Sequence, residues 1–518
     1  MDRGKIKSPI HIVLAMLLAL LLAVPLLVLI ANWLQLSFVE GFNHLFNSQT
    51  LLLIGKSFLL SAIASFFAVI IGGANAFILY KFQIRFAGLY KLLLLIPLLV
   101  PPYIFAVAWK DALFFLFGNN SDLNSAVAMI LVHIMVFSPL AMLIVGSALR
   151  QINKGVEEAG LMSVSFERML RKIILPLIRP AVGLSFVLIF IFSLSDFSVP
   201  AFFGLRTFTT EIFTQFSAFY NFQLATGQSI ILLLISLLLM LWEGRQLQDA
   251  AFFSVDTRGS EYKIYKLANR FLWLKWIPVV LIVVSSLLPL LMLLVQSLSG
   301  KELTFIDAWN IMSPTIIPSI SLAFIGAILI TLIGLWAAYM KERLSFGFPN
   351  TLLLITFIVP STVLGMAEIG FFNRPATNFI YASVIIILIS YVGQFTFIAS
   401  RIMGNGLRQI PKSLEEAAAV IGISPFRRFY KITLPLLFPS LIASFILAFV
   451  LSLGELGTVI MVYPPGTELM PIKLFTISAN APQALTASIT LINFLVSLGF
   501  IILFYFSAKL IFKKSAHA

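Results

Sequence analysis

The stretch Leu149-Arg150-Gln151-Ile152-Asn153-Lys154-Gly155-Val156-Glu157-Glu158-Ala159 returns 258 residues later as Leu407-Arg408-Gln409-Ile410-Pro411-Lys412-Ser413-Leu414-Glu415-Glu416-Ala417. One extra residue enters the second copy, and the match then resumes at a spacing of 259. Lys172-Ile173-Ile174-Leu175-Pro176-Leu177 stands over Lys431-Ile432-Thr433-Leu434-Pro435-Leu436. Further out, Ser193-Leu194-Ser195-Asp196 stands over Ser452-Leu453-Gly454-Glu455, and Val100-Pro101 over Val359-Pro360. The chain is a tandem repeat, so a fold that suits one half must suit the other.

The residues around the repeat decide the class. Of 518 residues, 60% are hydrophobic and 11% charged. A soluble domain carries about 25% charged and roughly 45–50% apolar residues, so a soluble globular chain is excluded, as is a disordered one. Twelve apolar segments stand out, near 11–34, 57–80, 90–109, 126–149, 181–202, 227–242, 272–296, 317–340, 351–371, 379–400, 441–462 and 485–511. Each is close to the ~20 residues that cross a bilayer as a helix. The first run is too long for the apolar region of a signal peptide, so it reads as the first membrane helix. The expected fold is an all-α polytopic membrane protein of about 12 transmembrane helices. Six helices per half is an even number, so both halves start on the same side and the two six-helix repeats are parallel. A pathway along a pseudo-twofold axis is the natural architecture.

The net charge of +14, from 35 Lys and Arg against 21 Asp and Glu, would suggest nucleic acid in a soluble protein. Here the basic residues are dispersed between apolar runs, which excludes that partner. Sorted by loop, 29 fall on one side, and six fall on the other: Lys56, Lys110, Arg206, Lys301, Arg374 and Lys473. The positive-inside rule makes the 29-residue side cytoplasmic and puts both termini there. The lipid bilayer is thus the first expected partner, in a multi-pass inner-membrane protein.

Little other chemistry is on offer. Without cysteine there is no thiolate ligand or nucleophile, and the four histidines (11, 44, 133 and 517) are scattered. Gly55-Lys56-Ser57 ends like a phosphate-binding loop, but Thr50 stands where that motif needs glycine. No catalytic residue, resident metal site or nucleotide site is expected. His133 reads as a hydrogen-bonded packing residue. Prolines 97, 101, 102, 139 and 360 fall inside membrane segments, where they break helix hydrogen bonding and predict kinks or discontinuities.

The domains read as a first half 1–242 with a polar loop at 150–180, a linker 243–271, and a second half 272–518 with a polar loop at 401–440. In the second loop, Glu415, Glu416 and the alanines after them favour a short helix with negative charge at its start. Gly422 would end it or allow close backbone approach, and Ser424-Pro425 suits a fresh helix start. This loop resembles the EAA loop of type I ABC importer permeases, the binding-protein-dependent inner-membrane components. The resemblance implies a short coupling helix that docks on a separate ATPase subunit. The implied coupling residues are Glu157, Glu158, Ala159 and Ser163 in the first loop, and Glu415, Glu416, Ala417, Ala418 and Gly422 in the second. The first loop departs from the pattern: Gly160 stands opposite Ala418, Ser163 opposite Gly422, and Phe166-Glu167 opposite Pro425-Phe426. Two ATPase copies carrying ATP and magnesium, and an external solute-binding protein, are the implied partners; the chain itself is implied to be no enzyme.

Two stretches resemble the fused permeases of ferric iron importers: Leu194-Ser195-Asp196-Phe197-Ser198-Val199-Pro200 with Arg206-Thr207-Phe208-Thr209-Thr210-Glu211, and Pro97-Leu98-Leu99-Val100-Pro101-Pro102-Tyr103. Thiamine, phosphonate and sulfate permeases of similar build stay open, as does a twelve-helix secondary transporter driven by an ion gradient. Intramembrane acids are costly and are candidates for a transport pathway. Asp196 and Glu455, at matching places, are the first candidates, and a carboxylate pair suits a cation. The competing reading is that each acid caps a broken helix or pairs with a nearby base. Glu368 and Tyr103 complete the candidate pathway set.

Overall fold

The computed structural model describes residues 9–34, 48–117, 122–249, 263–267, 269–299 and 305–515. Apolar segments become helices because a backbone in lipid must satisfy its own N–H and C=O groups. The first half builds α1 (Pro9–Leu34), α2 (Ser48–Lys81), α3 (Ala87–Leu99), α4 (Pro102–Phe117), α5 (Asp122–Gln151), α6 (Lys154–Ser163), α7 (Phe166–Ser195), α8 (Ser198–Phe202), α9 (Phe208–Ser217) and α10 (Phe222–Asp249). The second builds α11 (Phe271–Leu298), α12 (Phe305–Leu344), α13 (Phe348–Ile358), α14 (Ser361–Phe372), α15 (Asn378–Tyr381), α16 (Ile385–Gln409), α17 (Lys412–Val420), α18 (Pro425–Leu453), α19 (Val459–Val462), α20 (Met470–Ser478) and α21 (Gln483–Ser515). Apart from α15, each second-half helix has its counterpart in the first half. Among the described residues every element is helical, and the one β-type contact is an isolated bridge between Phe82 and Tyr265.

Ten of these helices are long and apolar enough to cross a membrane, and twelve spans result when two bent pairs are each taken as one. The bends fall where Val precedes Pro. Steric conflict with the proline ring drives the preceding residue out of the helical region. Val100 and Val359 are accordingly extended, and the chain turns by 88° between α3 and α4 and by 110° between α13 and α14. Pro139 behaves otherwise, since α5 runs through it as one helix.

The fifth and eleventh segments are placed differently from the sequence expectation. The helices begin earlier, at Phe166 and Pro425, and stop at Ser195 and Leu453. Residues 196–202 and 454–462 are therefore turns and short helices rather than the ends of long ones. Each long helix also carries a π-helical turn, Leu170–Ile174 and Phe429–Thr433, just before a proline. Pro176 and Pro435 lack the N–H that would close an ordinary turn there, and the wider turn accommodates them.

The chain forms two compact units, one of residues 1–37, 314–472 and 495–518, the other of 38–313 and 473–494. Within the first, α1 packs against α13 and α14; within the second, α11 packs against α3 and α4. Each unit has an apolar cluster at the end of its membrane helices that leads into the polar loop. Val145, Leu149, Ile152 and Ile178 belong to one cluster, and Met403, Leu407, Ile410 and Leu437 to the other. These are repeat-equivalent positions, so the same residues anchor both loops.

Candidate functional site

The first polar loop folds as α6, started by Asn153, whose side chain accepts a hydrogen bond from Gly155 N at 2.8 Å. Successive residues of a helix point about 100° apart, so Glu157 and Glu158 separate. Glu157 turns inward to Lys81 at the end of α2, and both side chains are 0% exposed. Its second oxygen accepts from the Tyr265 hydroxyl. A buried charge is tolerated only when paired and hydrogen-bonded, and both conditions hold here. Burial, the Glu157 hydrogen bond and the negative charges of Glu157 and Glu158 push the Tyr265 phenol well above its ordinary range, so it stays a donor. Glu158 turns outward and meets Lys263 Nζ at 3.2 Å.

The second loop repeats this plan with other partners. Glu415 of α17 accepts from Arg343 Nε at 2.8 Å and from Thr433 Oγ1 at 3.1 Å. Arg343 also donates through Nη2 to the carbonyls of Leu407 and Ile410, each at 3.0 Å, tying α12 to the end of α16. Arg428 Nη1 donates to the Glu415 carbonyl at 3.2 Å. Glu416 is exposed. Gly422 ends α17 in the left-handed region, with φ 80°. Its N–H donates to Ala419 O and that of Ile423 to Ala418 O, both at 3.0 Å, which is the double closure of a Schellman motif. Ser424 then sits at the N-cap position before Pro425, without a side-chain hydrogen bond to the helix.

The outward faces differ. On the second loop Leu414, Glu416, Ala417, Val420, Ile421 and Phe426 are exposed, with Phe426 at 80%, while Ala418 is buried. On the first, Val156, Glu158, Ala159, Met162 and Ser163 are exposed. Here Phe166 is turned in against Phe82 and Tyr265. Ser163, opposite Gly422, ends its helix without a left-handed residue and donates back to Ala159 O at 3.2 Å. Gly160 lies so close to Ile173 that an added Cβ would stand 2.8 Å from its Cδ1.

At the far end of the second helix of each half is another repeated contact. Ser57 Oγ accepts from Phe208 N, and Ser319 Oγ from Met470 N, both at 2.8 Å. Each serine thus satisfies a free N–H at the start of the short helix α9 or α20. In both halves the serine precedes the cation of the loop, Lys81 or Arg343, by 24 residues. That is a helix length of about 36 Å, so one helix links the two places. Beside α9, Arg206 Nε donates to Glu211 at 2.7 Å, as does Gln215 Nε2. Burial raises the Glu211 carboxyl, but these hydrogen bonds and the Arg206 charge outweigh it and hold the acid below its usual range.

Asp196 lies just past the end of α7. Its carboxylate accepts from Ser198 N at 3.0 Å, Ser198 Oγ at 2.7 Å and Val199 N at 3.1 Å, capping α8. His133 Nε2 is 2.9 Å from it, and His133 Nδ1 is 2.8 Å from Ser193 Oγ. Glu455 makes the corresponding turn in the other unit, accepting from Thr458 N at 2.6 Å. Thr458 Oγ1 donates to Ser361 O at 3.0 Å and receives Gln394 Nε2 at 3.3 Å. One turn from Gln394, Ser390 donates to the buried Glu368, whose other oxygen meets no hydrogen-bond partner among the described residues. Glu455 and Glu368 therefore belong to one polar cluster of α14, α16 and the turn before α19. Tyr103 is buried in the other unit, stacked on Phe202 at 5.8 Å and hydrogen-bonded by Asn493 at 3.2 Å.

Lys81, Arg343, Tyr265, Thr433, Ser57 and Ser319 escaped the sequence reading. The repeated 24-residue spacing of serine and cation was the available signal.

Residues 330–516 match the family described as binding-protein-dependent transport system inner membrane component. The chain is 26% identical over 461 residues to the ferric transport system permease protein FbpB of Actinobacillus pleuropneumoniae, covering 80% of this chain. It spans 65% of that relative, just under two thirds of its length. It is 23% identical over 481 residues to an Fe(3+)-transport system permease protein of Haemophilus influenzae, covering 91% of this chain and 93% of the relative. It is also 26% identical to a putative 2-aminoethylphosphonate transport system permease protein of Salmonella typhi, over 42% of this chain and 88% of the relative. The repeated loop, the twelve possible spans and these matches together make the chain similar to fused, two-half type I ABC importer permeases.

Proposed function

We propose that this permease moves ferric iron from an external binding protein to the cytoplasm. The observation that carries the substrate is coverage: the similarity to a relative named as an Fe(3+) permease runs through 91% of this chain, whereas the phosphonate relative covers 42%. α6 and α17 are the coupling helices, each touching one of two ATPase subunits that bind ATP and magnesium. Their buried carboxylates, Glu157 and Glu415, hold the helices to α2 and α12; the outward Glu158, Glu416 and apolar side chains are offered to the partner. ATP-driven closure of the ATPase pair would draw the coupling helices together and open the pathway outward, because the two membrane states bind the closed dimer unequally. The distribution of basic residues supports a cytoplasmic position for α6, α17 and both termini. Asp196, Glu455, Glu368 and Tyr103 are assigned to the solute pathway.

The test is uptake in vesicles holding the permease, its ATPase and its binding protein. ATP-dependent entry of radioactive ferric iron, with no competition from 2-aminoethylphosphonate, supports the assignment. Competition by the phosphonate would transfer the protein to that second substrate class.

A further inference from the structure

We propose that residues 263–267, within the segment joining the two halves, are a working part of the first coupling site, with Tyr265 as its positioning residue. This rests on α6 being an ATPase contact. Residues 263–267 form a strap across the base of α6. Tyr265 N donates to Lys81 O at 2.7 Å, and Gln83 N donates to Tyr265 O at 2.9 Å, making a parallel bridge with the chain leaving α2. The Tyr265 hydroxyl completes the shell of Glu157, and its ring stands edge-on to Phe166 at 5.1 Å. Lys263 reaches Glu158 on the outward face.

Both acids of the first loop are therefore held by the strap, which leads within a few residues into α11. In the second loop Glu415 is held by Arg343 and Thr433, from its own half. Movement of α6 acts on the strap through the Tyr265 hydrogen bond to the buried ion pair and through Lys263, and so on the start of α11, while the two-sided backbone bridge ties the strap to the chain leaving α2. The degenerate sequence of the first loop follows from this. Glu167 stands where the second loop has the exposed Phe426, Phe166 packs on the strap, and α6 depends on Tyr265 for the fixing that the Schellman closure at Gly422 gives α17.

The chain has no cysteine, so one introduced thiol reports one place. Met162, 92% exposed on α6, is changed to Cys and given a nitroxide; Val420→Cys on α17 serves as control. In the full chain, Tyr265→Phe should raise label mobility at 162 severalfold and leave 420 unchanged. In the assembled, unlabelled complex it should lower solute uptake per ATP hydrolysed severalfold. Lys263→Met, a milder cut, should act in the same direction and covers the case in which Tyr265→Phe fails to insert. Unchanged mobility at 162 in both variants overturns the strap. Raised mobility with unchanged uptake per ATP overturns its part in coupling. Raised mobility in a chain that binds no ATPase keeps the strap and refutes the proposed function instead.

Discussion

Glu157 and Glu415 occupy the same place in the two halves, each the first acid of a Glu-Glu pair, and each turns inward to a cation at the end of a long membrane helix. Glu157 meets Lys81 with both side chains fully buried; Glu415 meets Arg343 at 2.8 Å with part of the carboxylate in reach of solvent. The helices α6 and α17 are thus each anchored by charge on one face, with the second acid of each pair turned outward.

Removing one partner of a buried ion pair leaves an uncompensated charge, at a cost of about 3–5 kcal/mol. Lys81→Met should lower stability by that order in a denaturant titration. The double variant Lys81→Met with Glu157→Gln should recover most of the loss. Arg343→Met should cost less, because Glu415 keeps Thr433 and some water.

The outward acids should behave oppositely. Glu416→Lys should leave the fold unchanged and weaken ATPase binding roughly tenfold, equivalent to about 1.4 kcal/mol. Glu158→Lys should do so more weakly, since Lys263 already meets that acid. Co-purification of the ATPase with each variant checks the order.

Phe426 stands 80% exposed beside Val420 and Ile421, an apolar group with no cover within its own loop. Phe426→Ala should weaken ATPase binding by about 1–3 kcal/mol, as loss of an aromatic anchor does. Phe166→Ala should instead destabilise the first loop, because that ring is packed inward. Binding and melting measured side by side separate the two.

Gly422→Ala and Gly160→Ala test two different needs for glycine. A Cβ at Gly422 would have open space, so its cost is the left-handed backbone, about 1–2 kcal/mol. A Cβ at Gly160 would press on Ile173, so Ile173→Val should relieve Gly160→Ala and do nothing for Gly422→Ala. Melting temperatures of the single and double variants read this directly.

Glu211 is held below its ordinary value of 4.5. Its folded form therefore binds protons less readily than the unfolded chain, so its contribution is full above that value and lost as pH falls below it. Arg206→Gln should flatten the acid side of the stability profile, measured by unfolding across that range. An unchanged profile would remove Arg206 as the cause.

The membrane helices and the two-half plan were legible because hydrophobic runs and a repeat survive in one dimension. Pro101 and Pro360 announced the bent spans, since proline constrains its predecessor locally. Pro139 did not obey the same rule, as helix α5 continues through it. Glu157 and Glu158 look alike in sequence, and only the helix phase against α2 separates the buried acid from the exposed one. Tyr265 could not be foreseen, because its hydrogen-bond partner Glu157 lies 108 residues earlier in the chain. Asp196 read as a membrane acid, and the structure shows why it is tolerated: α8 and His133 satisfy it locally.

On the proposed function, ATP energy enters through the two loops. The most direct measurement is ATP-dependent ferric iron uptake by vesicles containing the permease, ATPase and binding protein, with Glu158→Lys and Glu416→Lys combined. Uptake should be lost while the variant chain remains in the membrane. Wild-type uptake by the double variant, or uptake driven by a proton gradient without the ATPase, would contradict it.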